Sequence, residues 1–159
     1  MKLLVPLDGT PAALLALRWV ARLASDGLQC SVVLANVQSP STLYEVVVAH
    51  DADVLQQVSA EAGAHALEAG AAMLRAAGIE HELEVATGDA GHELADVAER
   101  YGCDMVVMVA RSAGELSGAL LGSVSHGVLR QSRVPVTIVR PEAVSTAPEA
   151  ADVESLEDR

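Results

Sequence analysis

A chain of 159 residues, 51% apolar and 20% charged, suits one domain that buries roughly 70% of its unfolded surface in a single core. Its net charge of −12, with 10 Lys and Arg among which Lys2 is the one lysine, excludes the basic footprint that nucleic-acid binding needs. No apolar run approaches the roughly 20 residues of a membrane span, and Leu3–Leu7 is too short for a signal-peptide core, so cytoplasmic residence is the expectation.

Leu3–Leu7 reads as a short apolar strand. Thr10-Pro11 then offers an N-cap followed by proline at the first helical position, where a missing N–H is harmless. The helix should run to about Ser25, with Ala13, Leu17, Val20 and Ala24 on one stripe and Arg18, Arg22 and Asp26 opposite; Gly27 ends it. Ser31–Val37 is apolar at nearly every position, as in a strand covered on both faces. Residues 38–51, with Pro40, form a connection whose ends the pattern does not place. A long helix follows from roughly Asp53 to Ala77, with Ala60, Leu67 and Leu74 a heptad apart and Gly78 closing it.

Glu80–Thr87 alternates Glu80, Glu82 and Glu84 with His81, Leu83 and Val85, which gives one wet face and an edge position. The next helix, about Ala90 to Tyr101, aligns Leu94, Val97, Ala98 and Tyr101 against Glu93, Asp96 and Arg100, and Gly102 stops it. Met105–Val109 is apolar throughout and belongs inside the sheet. Gly122-Ser123-Val124-Ser125 opens the last helix. Val134–Val139 carries Pro135, which cannot donate to a ladder, so this strand is the other edge. Right-handed crossovers then give a doubly wound five-stranded parallel sheet of order 3-2-1-4-5, with helices on both faces in the Rossmann-like manner. The domain spans residues 1–140; residues 141–159, with Glu142, Glu149, Asp152, Glu154, Glu157 and Asp158 among Ala, Ser and Pro, read as a disordered acidic tail. Cys30 and Cys103 lack metal or redox spacing and read as small core residues. His50, His65, His81, His92 and His126 share no ligand spacing, and Trp19 reads as packing.

In such a sheet the crossovers reverse between the first and fourth strands, and ligands bind beyond the strand tips there. The polar devices of this chain converge on that point. Pro6 and Asp8 end the first strand, and Val37 ends the second. Met108 and Val109 end the fourth, and its loop, with Arg111 and Ser112, delivers Gly122, Ser123 and Val124 to a helix start. Exposed N–H groups and the positive end of the helix macrodipole make that start an anion site. Asp8 suits a ribose or amino group, the Val37 main chain a base, and Ser123 a phosphate.

These residues carry a resemblance. Pro6-x-Asp8-Gly9-Thr10, Gly88-Asp89, Asp104, Gly122-Ser123-Val124-Ser125 and Val134-Pro135-Val136, in this order, make the chain similar to a universal stress protein over residues 1–140. The resemblance implies the same fold, described as adenine nucleotide alpha hydrolase-like, and a homodimer paired through the last strand at Val134, Val136 and Ile138. Many such proteins bind ATP through a G-x-x-G-x9-G-S/T motif. Here that motif falls on Val109, Ser112, Gly122 and Ser123, so its first two glycines are replaced. Where a left-handed backbone is needed, each replacement costs about 1–2 kcal/mol.

Two functions follow as expectations. One is a cytoplasmic sensor or regulator that binds ATP or another adenine nucleotide, with or without Mg, at a weakened site. The other is a nucleotide-free dimeric interaction protein using the last strand, because an apolar edge strand calls for a partner. Enzymatic turnover has little support beyond slow ATP hydrolysis, since no G-x-x-x-x-G-K motif occurs. A phospho-receiver would need a late lysine, which this chain lacks.

Overall fold

The computed structural model describes residues 1–40, 52–110 and 122–140, with residues 52–60 in backbone only. Residues 41–51, the loop with Arg111 and Ser112, and the acidic tail lie outside the described residues. Strands β1 (Lys2–Pro6), β2 (Ser31–Gln38), β3 (His81–Thr87), β4 (Met105–Val109) and β5 (Val136–Val139) alternate with helices α1 (Leu14–Ser25), α2 (Ala52–Ala76), α3 (Ala90–Arg100) and α4 (Ser123–Gln131). The strands form one parallel sheet of order β3-β2-β1-β4-β5, as the two edge signals require.

Successive strand residues face opposite sides of a sheet, and the two cores divide by that rule. Leu3, Val5 and Leu7, with Val32 and Leu34, pack under Leu17 and Val20 of α1 and Leu67 and Leu74 of α2. Leu4, Val33, Ala35, Val106 and Met108 pack under Leu94, Val97 and Ala98 of α3 and Val128 of α4. Cys103 is buried in this second core and Cys30 half-buried beside the first; burial pushes both thiols up. Trp19 packs at the rim of the first core with the Arg22 guanidinium 5.6 Å from its ring centre.

Three expectations change. Helix α1 starts at Leu14 rather than directly after Thr10, although Thr10 Oγ1 accepts from the Ala13 N–H at 3.4 Å as an N-cap does, while donating to Asp8 Oδ1 at 2.6 Å. The Thr10 side chain thus serves both Asp8 and a turn, closed by Ala13 N–H to Thr10 O at 3.2 Å, that precedes the helix. Strand β5 begins at Val136, since Val134 is held in a tight local loop by Ser132 Oγ. In β3 the glutamates do not face plain water: Glu84 accepts from Tyr101 Oη and Arg100, and Glu82 from Lys2 Nζ. Leu83 is exposed too, at 50%, because it shares the face of Val85 but lies outside the first core.

The register positions the functional end. Pairing of β1 with β4 covers Leu3↔Met105 and Leu4↔Val106. At the amino end Asp104 extends it, accepting from the Lys2 N–H at 2.6 Å and donating to Lys2 O at 2.7 Å. Beyond Leu4, β1 stays with β2 to Pro6↔Ala35, while β4 stays with β5 to Val109↔Val139. The two central strands therefore part at their carboxyl ends.

Candidate functional site

The parting of β1 and β4 opens a cleft of about 330 Å³ at the switch point, within the roughly 300–1,000 Å³ range of small-molecule sites. One wall is the Asp8-Gly9-Thr10 turn. Gly9 has φ of +81°, a conformation that favours glycine, and a Cβ there would make ordinary contact with Ala66 of α2 at 3.4 Å. The Asp8 carboxylate organises the turn through its two bonds to Thr10 and is the single acid among the described lining residues.

The opposite wall is the start of α4. Gly122 caps it in extended conformation, φ −72° and ψ 168°, and its carbonyl accepts from the His126 N–H at 3.0 Å. The amides of the first turn, residues 123–125, have no intrahelical acceptor by the geometry of any helix start, and no acidic side chain occupies that turn. This is the donor-rich, positive-potential end expected for an anion. Ser123 is exposed there; Ser125, 3% exposed, also lines the cleft.

The floor is formed by strand tips and α3. Val37 lies at the end of β2, Met108 and Val109 at the end of β4, and Ala90 and Leu94 come from α3. Asp89 caps α3 by accepting from the His92 N–H at 3.0 Å. Helices α3 and α4 cross at two glycines: a Cβ on Gly91 would lie 2.8 Å from the Gly127 Cα. Among the described residues no group of three or more His, Cys, Asp or Glu could hold a metal ion.

Of the residues singled out from sequence, Pro6, Asp8, Val37, Met108, Val109, Gly122, Ser123 and Val124 all line this one cleft; Ser112 lies outside the described residues. Val134, Val136 and Ile138 sit elsewhere, half-buried against the α3/α4 core. Because the Val106 N–H bonds to Pro135 O and the Ala110 N–H to Val139 O, the main-chain groups of Val136 and Ile138 point away from β4. What β5 offers at its outer edge is backbone, not those side chains.

Sequence reasoning missed Asn36, Leu94 and Ser125 as lining residues. Asn36 carried a usable signal: it is the one amide inside the apolar run from Val32 to Val37, and a polar group 4% exposed must be bonded for a reason. Its Nδ2 donates to Leu7 O at 2.7 Å, and its Oδ1 accepts from Gln38 Nε2.

Comparison with known proteins agrees with this architecture. Universal stress protein YxiE of Bacillus subtilis is 30% identical over 145 residues, covering 87% of this chain and 98% of that protein. The solved structure of hypothetical protein MJ0577 superposes with a TM-score of 0.72 at 27% identity, covering 87% of this chain and 94% of that one. A universal stress protein family structure from Arabidopsis thaliana, with AMP bound, superposes at 0.67 over 94% of this chain and 97% of that one; at 18% identity this likeness shows the fold. The sequence pattern of the universal stress protein family spans residues 1–140, so strand order, switch-point cleft and sequence agree that the chain belongs to the universal stress protein family.

Proposed function

We propose that this protein binds an adenine nucleotide, ATP or a shorter relative, in the switch-point cleft, and that binding regulates conformation or assembly in the cytoplasm. The observation that carries this reading is the meeting of the Asp8 turn and the amide-rich start of α4 across one cleft. The phosphates sit at the first turn of α4 with Ser123 adding a hydroxyl donor; Asp8 faces the ribose, and the Val37 main chain faces the base. A Mg ion, where one takes part, arrives with the phosphates, since such ions need few protein carboxylates. That the Arabidopsis relative holds AMP adds support by analogy of fold.

Native mass spectrometry of freshly purified protein tests the reading. The expected result is a mass increment matching ATP, ADP or AMP on each subunit, absent in Ser123→Tyr, whose ring fills the mouth of the anion site. Apo protein with no thermal shift in millimolar ATP overturns it.

A second reading, a nucleotide-free homodimer acting through β5, rests on Val109. Its branched side chain lines the cleft where the family motif has glycine. The outward main chain of Val136 and Ile138 gives this reading its interface. Dimers that never take up nucleotide favour it; monomers with nucleotide bound exclude it.

A further inference from the structure

The main chain at the floor of the cleft departs from regular sheet geometry at one place. Strands β1 and β2 pair in parallel up to Pro6↔Ala35, and the Leu7 N–H still donates to Ala35 O at 2.8 Å. In a parallel ladder the next bond runs from the Val37 N–H to the Leu7 carbonyl. That carbonyl instead accepts from Asn36 Nδ2 at 2.7 Å. The Val37 N–H cannot turn to β3 for compensation, because there the even-numbered residues make the bonds: the Val32 N–H donates to Glu80 O, and Gln38 O accepts from the Gly88 N–H. It faces the β1 side, at the cleft that Val37 lines.

The amide that intercepts the ladder is itself held in place. Gln38 Nε2 donates to Asn36 Oδ1, which fixes Nδ2 toward Leu7. Helix α2 makes room: a Cβ on Gly63 would stand 3.0 Å from Asn36 Oδ1 and 2.6 Å from Val85 Cγ1. One turn and two turns on, Ala66 faces Gly9, and a Cβ on Gly70 would stand 2.4 Å from Leu7 Cδ1. Small residues on one stripe of α2 thus seat the tip of β1, its turn and the Asn36 amide together.

We infer that Asn36 is a positioning residue: by taking the Leu7 carbonyl it leaves the Val37 N–H as a donor to the cleft, and so sets selectivity for a heterocyclic base. The selectivity half rests on the nucleotide reading, whereas the main-chain half does not. Valine at position 36 has similar bulk but no amide, so the Leu7 carbonyl becomes available and the regular ladder bond closes, withdrawing the donor.

Two measurements on the full chain test this. Amide hydrogen exchange of Val37 in ligand-free protein should be fast in the wild type and at least about tenfold slower in Asn36→Val, the change expected when an open amide gains a ladder bond. Calorimetry should show ATP affinity falling about five- to tenfold in the variant, one neutral hydrogen bond's worth, with tripolyphosphate affinity unchanged. Should Asn36→Val fail to fold, Asn36→Ala removes the same donor with less bulk under α2. Equal Val37 exchange in wild type and variant overturns the inference whatever is bound. A parallel fall in ATP and tripolyphosphate affinities overturns the selectivity half, because a generally loosened cleft does that. A wild type that binds neither probe overturns the nucleotide reading and selectivity with it, while the exchange comparison still decides the role of Asn36 in the main chain.

Discussion

His92 ties the two helices on the α3/α4 face together through its ring. Nδ1 lies 2.6 Å from Gln131 Oε1 and Nε2 lies 3.5 Å from Asp96 Oδ2. Both ring nitrogens donate when the imidazole is protonated. The hydrogen bond to Gln131, followed by the fields of Asp96, Glu93 and Asp89, raises its pKa above the ordinary 6.5, against a smaller opposing effect of desolvation. A pKa raised on folding stabilises the protein fully below the unfolded value and loses that contribution as pH climbs through the folded one. Nuclear magnetic resonance titration should therefore place His92 above 6.5, and Gln131→Ala should lower it. The stability difference between wild type and Gln131→Ala should be largest below 6.5 and shrink as pH rises through the raised value; a difference that does not change with pH contradicts the assignment. Solvent screening keeps the effect small, since both side chains of the His92–Asp96 pair are more than half exposed.

Helices α3 and α4 approach at Gly91 and Gly127, where each Cβ would meet the other's Cα, at 2.8 Å and 3.0 Å. Backbone cannot rotate out of the way as a side chain can, so an added methyl must push the helices apart. Gly91→Ala should cost about 1–3 kcal/mol from overpacking, offset by about 1 kcal/mol of helix propensity. Urea unfolding should show net destabilisation, larger than for Gly70→Ala, whose nearest neighbours are the terminal side-chain carbons of Leu7 and Leu17 rather than backbone. A neutral or stabilising Gly91→Ala would mean the helices have slack. Such a contact is invisible in sequence, because the two glycines are far apart along the chain and neither breaks a helical pattern. What was legible came from local period. The unbroken apolar run of β4, Pro135 at β5 and the acidic alternation of β3 were enough to order the sheet, and the Asp8-Gly9-Thr10 turn with the helix start at Gly122 marked the cleft. The errors came from tertiary competition. Pro11 reads as the first helical residue until the turn through Ala13 defers the helix to Leu14; Leu83 alternates with the glutamates, and the sheet edge leaves it uncovered. Asn36 reads as an odd residue in a strand until the carbonyl it takes is seen on the neighbouring one.

At the scale of the molecule, the cleft is the seam where β1 and β4 part at the carboxyl end of one continuous sheet. Strands β1 and β2 under α1 and α2 carry the Asp8 turn, while β4 and β5 with α4 carry the anion end, and their direct ladder stops at Leu4↔Val106. A ligand touching both walls bridges the seam and binds the folded protein alone, so it must raise stability by mass action. At a nucleotide concentration a hundredfold above its dissociation constant the gain is about 2.7 kcal/mol. For a domain of this size each kcal/mol moves the melting temperature by about 2–4 °C, so saturating ATP should raise it by about 5–10 °C in differential scanning calorimetry. Tripolyphosphate, which reaches the α4 wall but not the strand tips at Val37, should produce a smaller rise. Equal shifts from the two compounds would place the ligand wholly at the helix start and leave the Asp8 side without a part in binding. No shift from either, in protein shown by mass spectrometry to be nucleotide-free, would assign the seam to folding and move the function to the outer edge of β5.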